Sequence, residues 1–219
     1  MFKTRLLSGI VLVIAALVLI ITGGDVLLIS TLIISYIGMF ELYRIFHIEK
    51  EAVGIIGYLA ATVYYCNLKF AFLPDTMVFV LGVLILMMFA YVFTYPKYKT
   101  EQVLAAFFGV FYVAVMLSYV YQTRMIVAGA YIVWLVFLCS WGCDTCAYCV
   151  GMLIGKHKMS PKLSPKKSVE GAVGGVAGAA LLTVIYGMIF KNAMQIDQTH
   201  VWIMAGISAV GALISMVGD

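Results

Sequence analysis

The sequence predicts an all-α, polytopic integral membrane bundle of about eight transmembrane helices, with its N-terminus in the cytoplasm. Three observations carry that expectation. Hydrophobic residues make up 64% of the 219 residues and charged residues only 11%, at a mean hydropathy of +1.09, which lies outside the range of a soluble domain. Apolar runs of roughly membrane-spanning length recur along the whole chain. The 14 Lys and Arg residues are concentrated in every second connecting segment.

Taken in order, the first run covers residues 6–21. Lys3 and Arg5 ahead of it imitate a secretory signal, yet no small-residue cleavage pattern follows and further spans come after, so it reads as a retained first helix. Residues 26–40 form the second run, beyond the Thr22-Gly23-Gly24-Asp25 turn. Both are short for a bilayer that takes roughly 20 residues, so the pair is either two spans or a hairpin that does not fully cross. Either way the chain returns to its starting side. Runs at 53–73, 77–95, 103–120 and 126–150 follow, and those at 172–190 and 201–217 complete eight.

Counting Lys and Arg orients this set. With the N-terminus inside, the inner segments hold Lys3, Arg5, Arg44, Lys50, Lys97, Lys99, Lys156, Lys158, Lys162, Lys166 and Lys167, against Lys69, Arg124 and Lys191 outside. Eleven against three is a strong positive-inside bias. Topology and anionic headgroups account for charge in such short loops, which argues against a nucleic-acid partner despite the net charge of +4. The same map brings the loop at 156–171, the inner end of the sixth run with Asp144, and Asp219 to one leaflet boundary.

The loop "KHKMSPKLSPKKSVEG" at 156–171 carries five lysines. Ser164 followed by Pro165 has the form of a helix start, with a hydroxyl N-cap and proline at the first helical position, which would put Lys166 and Lys167 in the first turn. Cations there oppose the helix dipole. An anion at the site would resolve the conflict, since free backbone N–H groups and two ammonium groups suit phosphate. A plainer account stays open beside it: topology lysines near anionic lipid, with Lys166 paired to Glu170 at i, i+4.

Asp144 is the second candidate. An ionisable side chain within an apolar span costs on the order of 3 kcal/mol at the bilayer centre, and less near the interface, so it points to function by default. The plainer account is a carboxylate bonded to Trp141, Thr145 or Tyr148, or paired with a loop lysine. If Asp144 and Asp219 meet phosphates at the lysine turn, oxygen ligands point to Mg2+, with a second cation left open. That constellation suits phosphoryl or nucleotidyl transfer.

Other features are discounted. Cys139, Cys143, Cys146 and Cys149 fall within one apolar span at helical spacing, where small residues facing a neighbouring helix explain them better than a metal cluster. Gly171, Gly174, Gly175 and Gly178 form two overlapping G-x-x-x-G pairs, a signature of close helix packing in membranes. They lack the strand and the G-K-[ST] ending of a nucleotide loop. His47, His157 and His200 are dispersed and receive no chemistry.

The stretch "DTCAYCVGMLIGKHKMSPKLSPKKSVEGAVGG" at 144–175 resembles the bacterial phosphatidate cytidylyltransferases, or CDP-diacylglycerol synthases, whose pattern reads approximately D-T-G-A-Y, then G-K, then S-P-K-K-[ST]-x-E-G-x-x-G-G. "GGD" at 23–25, "FELYRI" at 40–45 and "GD" at 218–219 agree more loosely. Cys146 stands where the family usually has glycine. In the family the closing Gly-Asp opens a signature segment, so this chain resembles a member truncated at its C-terminus, with part of the metal and nucleotide site expected after Asp219.

The resemblance implies a single membrane domain, with residues 1–125 as N-terminal helices and 126–219 as the start of the catalytic region. It implies transfer of CMP from CTP to phosphatidic acid in the membrane, giving CDP-diacylglycerol and pyrophosphate, at a multi-pass protein of the inner (cytoplasmic) membrane whose site faces the cytoplasm. Asp219, and with it Asp144, would ligate Mg2+. Asp144, Lys166 and Lys167 would form the catalytic set. Ser164, Lys166, Lys167, Ser168 and Glu170 would bind substrate, and a second copy of the chain is a candidate partner. The rival readings are a CTP-dependent lipid kinase of the polyprenol type and a transporter. The latter predicts paired repeats, and none is visible.

Overall fold

In the computed structural model, residues 2–160 and 164–218 are described, with side chains from residue 9 onward except at 160, 165 and 166. Among the described residues the chain forms eight helices and one small hairpin. These are α1 (Phe2–Thr22), α2 (Gly24–Ile45), α3 (Ala52–Phe70), α4 (Thr76–Phe93), α5 (Thr100–Met125), α6 (Gly129–Ile154), β1 (Lys158–Ser160), β2 (Ser164–Ser168), α7 (Val169–Met194) and α8 (Gln198–Gly218). Six of them, α2 and α4 to α8, are long and apolar enough to cross a membrane. The apolar part of α1 runs over Gly9–Thr22, and α3 carries three tyrosines, Asn67 and Lys69. The second run is longer than its apolar core suggests, because α2 continues through the polar residues Glu41 and Arg44 to Ile45.

The chain divides into two compact units, one ending at Met125 and the other beginning at Ile126. In the N-terminal unit the core is organised around Tyr43, which is wholly buried. A methyl group built on Gly57 would lie 2.2 Å from the Tyr43 hydroxyl, and one on Gly109 would lie 2.4 Å from its ring. Only glycine leaves room on α3 and α5 for that ring. The hydroxyl donates to the Ala106 carbonyl at 2.7 Å, and just beyond it α5 opens into a π-helical segment at Gly109–Val115, as expected where a side chain intrudes on the helical ladder.

Charged side chains of this unit meet at two ends. Around the Gly23-Gly24 turn, Lys69 reaches Asp25 at 2.7 Å, and Arg124 Nε donates to the Ile20 carbonyl at 2.9 Å. Elsewhere the loops after α2 and α4 are tied together. Lys97 lies 2.6 Å from Glu51, Tyr98 donates to Glu51 at 2.9 Å, and Gln102 donates to the Phe46 carbonyl at 3.0 Å. Lys69 and Arg124, two of the three residues assigned outside by charge counting, thus lie at one turn, and Lys97 of the inside set pairs with Glu51.

The C-terminal unit packs α6, α7 and α8 through small side chains. Gly171, Gly175, Ala179, Thr183 and Gly187 form a buried stripe at four-residue spacing along α7. A methyl group on Gly175 would meet Ala147 Cβ at 2.9 Å, and one on Gly178 would meet Cys146 Cβ at 2.4 Å. Cys143 is buried and faces the Ala212 carbonyl of α8 at 3.9 Å, while Cys139 lies 3.4 Å from Ser208. Cys139, Cys143 and Cys146 therefore act as small contact residues, as their spacing suggests. Ser208 also bonds Thr183 at 2.8 Å, a polar contact between helices that a membrane interior favours.

Candidate functional site

A cavity of about 320 Å³ opens at one end of the C-terminal unit, a volume within the usual range for small-ligand sites. Its walls follow from the helix periods. Asp144, Ala147, Tyr148 and Gly151 recur at three- and four-residue steps and so share one face of α6, Gly171 and Ala172 come from the first turn of α7, and Met216 comes from the last turn of α8. Met159 and Lys167 enter from the hairpin, and Ser168 sits at the junction with α7. The lining combines a carboxylate, an ammonium and a hydroxyl with the apolar side chains of Met152, Met159 and Met216.

Two local devices shape this pocket. Immediately before Asp144, α6 contains a π-helical segment at Leu138–Gly142. The extra residue in such a turn re-aims the side chains that follow, and π segments recur at functional sites. On the other side, Ser168 caps α7, its hydroxyl accepting from Gly171 N at 3.1 Å. Gly151 and Gly155 let the chain pass close to that cap, since a methyl group on Gly155 would lie 2.5 Å from Ser168 Oγ. The positive end of a 26-residue helix is thereby held at the cavity wall beside Lys167, an arrangement suited to an anion.

This corrects the expected helix start. Residues 164–168 are the strand β2, paired antiparallel with β1 through Lys158↔Ser168 and Ser160↔Ser164, and α7 begins at Val169. The dipole explains the shift: lysines at 166 and 167 suit a strand, whereas Ser168 as cap and Glu170 in the first turn suit a helix start. Lys166 therefore has no helical i, i+4 relation to Glu170. Ser164 opens β2 across from Ser160 and is not among the residues lining the cavity.

Of the candidates read from sequence, Asp144, Lys167 and Ser168 come together on the cavity. Asp144 is exposed, and its neighbour Thr145 donates to the Trp141 carbonyl at 2.8 Å. Glu170 stands behind the wall, accepting from the Lys156 amide at 3.1 Å, from the His157 amide at 3.2 Å, and meeting His157 Nδ1 at 2.6 Å. The Lys166 side chain and Asp219 lie outside the described residues. Met152, Met159 and Met216 escaped the sequence reading, because apolar residues of a membrane protein carry no signal of their own. The partnership of His157 with Glu170, 13 residues away, follows from the hairpin and from no sequence period.

A divalent cation fits this donor set. Among the described residues no three His, Cys, Asp or Glu side chains gather as a closed metal site would require, and Asp144 is a carboxylate facing a cavity with room for phosphate. Mg2+ commonly takes one or two carboxylates and completes its shell with water and phosphate oxygens.

Comparison with known proteins adds a family match and three relatives. A family model described as the cytidylyltransferase family matches residues 3–219. The phosphatidate cytidylyltransferase of Staphylococcus aureus strain COL is 31% identical over 99% of this chain and 82% of its own length. That of Staphylococcus epidermidis is 29% identical over the same shares, and that of Staphylococcus saprophyticus is 27% identical over 73% of this chain and 62% of its own length.

Proposed function

The chain belongs to the cytidylyltransferase family, and from that premise we propose that it is a multi-pass membrane nucleotidyltransferase that moves CMP from CTP onto phosphatidic acid, giving CDP-diacylglycerol and pyrophosphate. The observation that carries the reading is the meeting of Asp144, Lys167 and the capped start of α7 on one cavity, inside the stretch that resembles the family motif. The lipid-kinase and transporter readings have no comparable support.

The chemistry asks little covalent help of the protein. A phosphate oxygen of phosphatidate attacks the α-phosphorus of CTP. The new P–O bond forms as the bond to the β-phosphate breaks, and pyrophosphate leaves opposite the incoming oxygen. Positioning and charge neutralisation supply the catalysis. Lys167 and the positive end of α7 hold phosphate oxygens at the cavity wall, and Ser168 fixes the helix start that presents them. Asp144, with Asp219, would hold Mg2+. When bound, the ion would neutralise triphosphate charge. The apolar lining of Met152, Met159 and Met216 suits the acyl-bearing part of a lipid. The positive-inside count supports a cytoplasmic position for this end of the unit, where CTP is available.

The test uses CTP labelled separately at the α- and γ-phosphates, with phosphatidate in mixed micelles. Label from the α position is expected in the lipid product, with γ label in pyrophosphate. γ label in the lipid would replace this reading by lipid phosphorylation.

A further inference from the structure

The cavity residue Lys167 sits on a hairpin whose described strands are three and five residues long, and a two-stranded hairpin is marginal on its own. Glu170 supplies a second attachment. Its carboxylate, at the second position of α7, accepts from the Lys156 amide at 3.1 Å and from the His157 amide at 3.2 Å, and its Oε1 lies 2.6 Å from His157 Nδ1. The Val169 amide donates back to the His157 carbonyl at 2.9 Å. These contacts close a loop from residue 156 to residue 170 that contains both hairpin residues of the cavity wall, Met159 and Lys167.

We propose that His157 and Glu170 form a latch that positions the strand residues Met159 and Lys167 at the cavity, so that opening it weakens binding of the nucleotide's phosphates more than it slows the chemical step. The inference rests on the cytidylyl-transfer reading for its kinetic consequence, not for its geometry. His157 pairs with Glu170, which is not among the residues lining the cavity, and its side chain is 80% exposed. It is a positioning residue. An exposed pair of this kind adds little to global stability, yet ordering a segment that carries a phosphate-binding lysine removes an entropic cost from binding.

Two measurements test the latch on the full chain in lipid nanodiscs. In steady-state kinetics with phosphatidate saturating, His157→Ala is expected to raise KM for CTP about tenfold while kcat falls less than threefold, and His157→Gln, which keeps an N–H able to reach Glu170, is expected to restore KM to within about threefold. In hydrogen exchange, which needs no turnover, Glu170→Gln is expected to lose amide protection over residues 155–160 and to keep it along α7 beyond its first turn. An unchanged KM in His157→Ala, a loss confined to kcat, or unaltered exchange in Glu170→Gln would overturn the latch. If the unaltered chain fails to consume CTP, the functional reading falls instead, and the exchange result alone decides whether the latch exists.

Discussion

In the N-terminal unit, tyrosines organise the interior. Tyr43 is seated on Gly57 and Gly109, Tyr65 lies 2.9 Å from Ser35, and Tyr64 accepts from Ser118 and Gln122 at 3.2 Å each. Its loop charges also pair, Lys97 with Glu51 and Lys69 with Asp25. In the C-terminal unit the helix contacts are glycine, alanine and cysteine, and Asp144, Lys167 and Ser168 line a cavity at one end. Small residues give close helix contact with few polar groups spent on it. The difference separates two uses of polarity in a membrane chain: one unit uses most of its polar contacts to fix a structure, while the other gathers polar side chains on a cavity.

The comparison breaks most visibly if the cavity residues prove structural. Asp144→Asn and Lys167→Ala should each lower CMP transfer by about 10²- to 10³-fold, the scale for removing one preorganised electrostatic group, with unfolding midpoints in SDS titration close to the unaltered chain. Unchanged turnover in both would remove the cavity from the chemistry. Packing by small residues is tested next. Gly178→Ala puts a methyl group 2.4 Å from Cys146 Cβ and should cost about 2 kcal/mol, as overpacking does. Cys146→Gly, the residue usual in the family, should recover most of that loss in the double variant. Equal losses with and without Cys146→Gly would mean that the two helices do not meet as described.

Smaller effects are expected in the N-terminal unit. Tyr43→Phe removes the hydroxyl's bond to the Ala106 carbonyl, which keeps the Gly109 amide, and should cost about 1 kcal/mol, read as a shift in the same SDS titration, with little change in CMP transfer by the folded fraction. Glu51→Gln should have the least effect, because the pair with Lys97 is exposed. The hydrogen bonds from Lys97 and then Tyr98 hold the Glu51 carboxyl below its ordinary value, and the bond to Glu51 raises Lys97. Glu51 therefore contributes at neutral pH and loses its contribution as the pH falls through the carboxylate range. Lys97 contributes below its ordinary range and loses its contribution on strong alkalinisation. A pH titration of stability should show the acid-side loss in the unaltered chain, reduced in Glu51→Gln and weakened by salt.

Much of this was legible before any coordinates. Helix number and order followed from apolar runs, because a span must bury its backbone polar groups internally and leaves a periodic record in composition. Asp144 and Lys167 stood out because charge in or beside an apolar span is costly. The start of α7 was misplaced by the Ser164-Pro165 pair, a local signal that the antiparallel pairing of Lys158 with Ser168 overrides. The mate of Glu170 was hidden because hairpin register, not helical spacing, brings His157 to it.

The sequence by itself determined the membrane class, the run of helices and the stretch that marks the family, since each depends on residue types summed over short windows. Only the tertiary structure decided which small residues touch, where the cavity opens, and that Met216 of α8 shares its wall with Lys167 of β2. Those outcomes depend on contacts between segments distant in sequence, for which chain order holds no period.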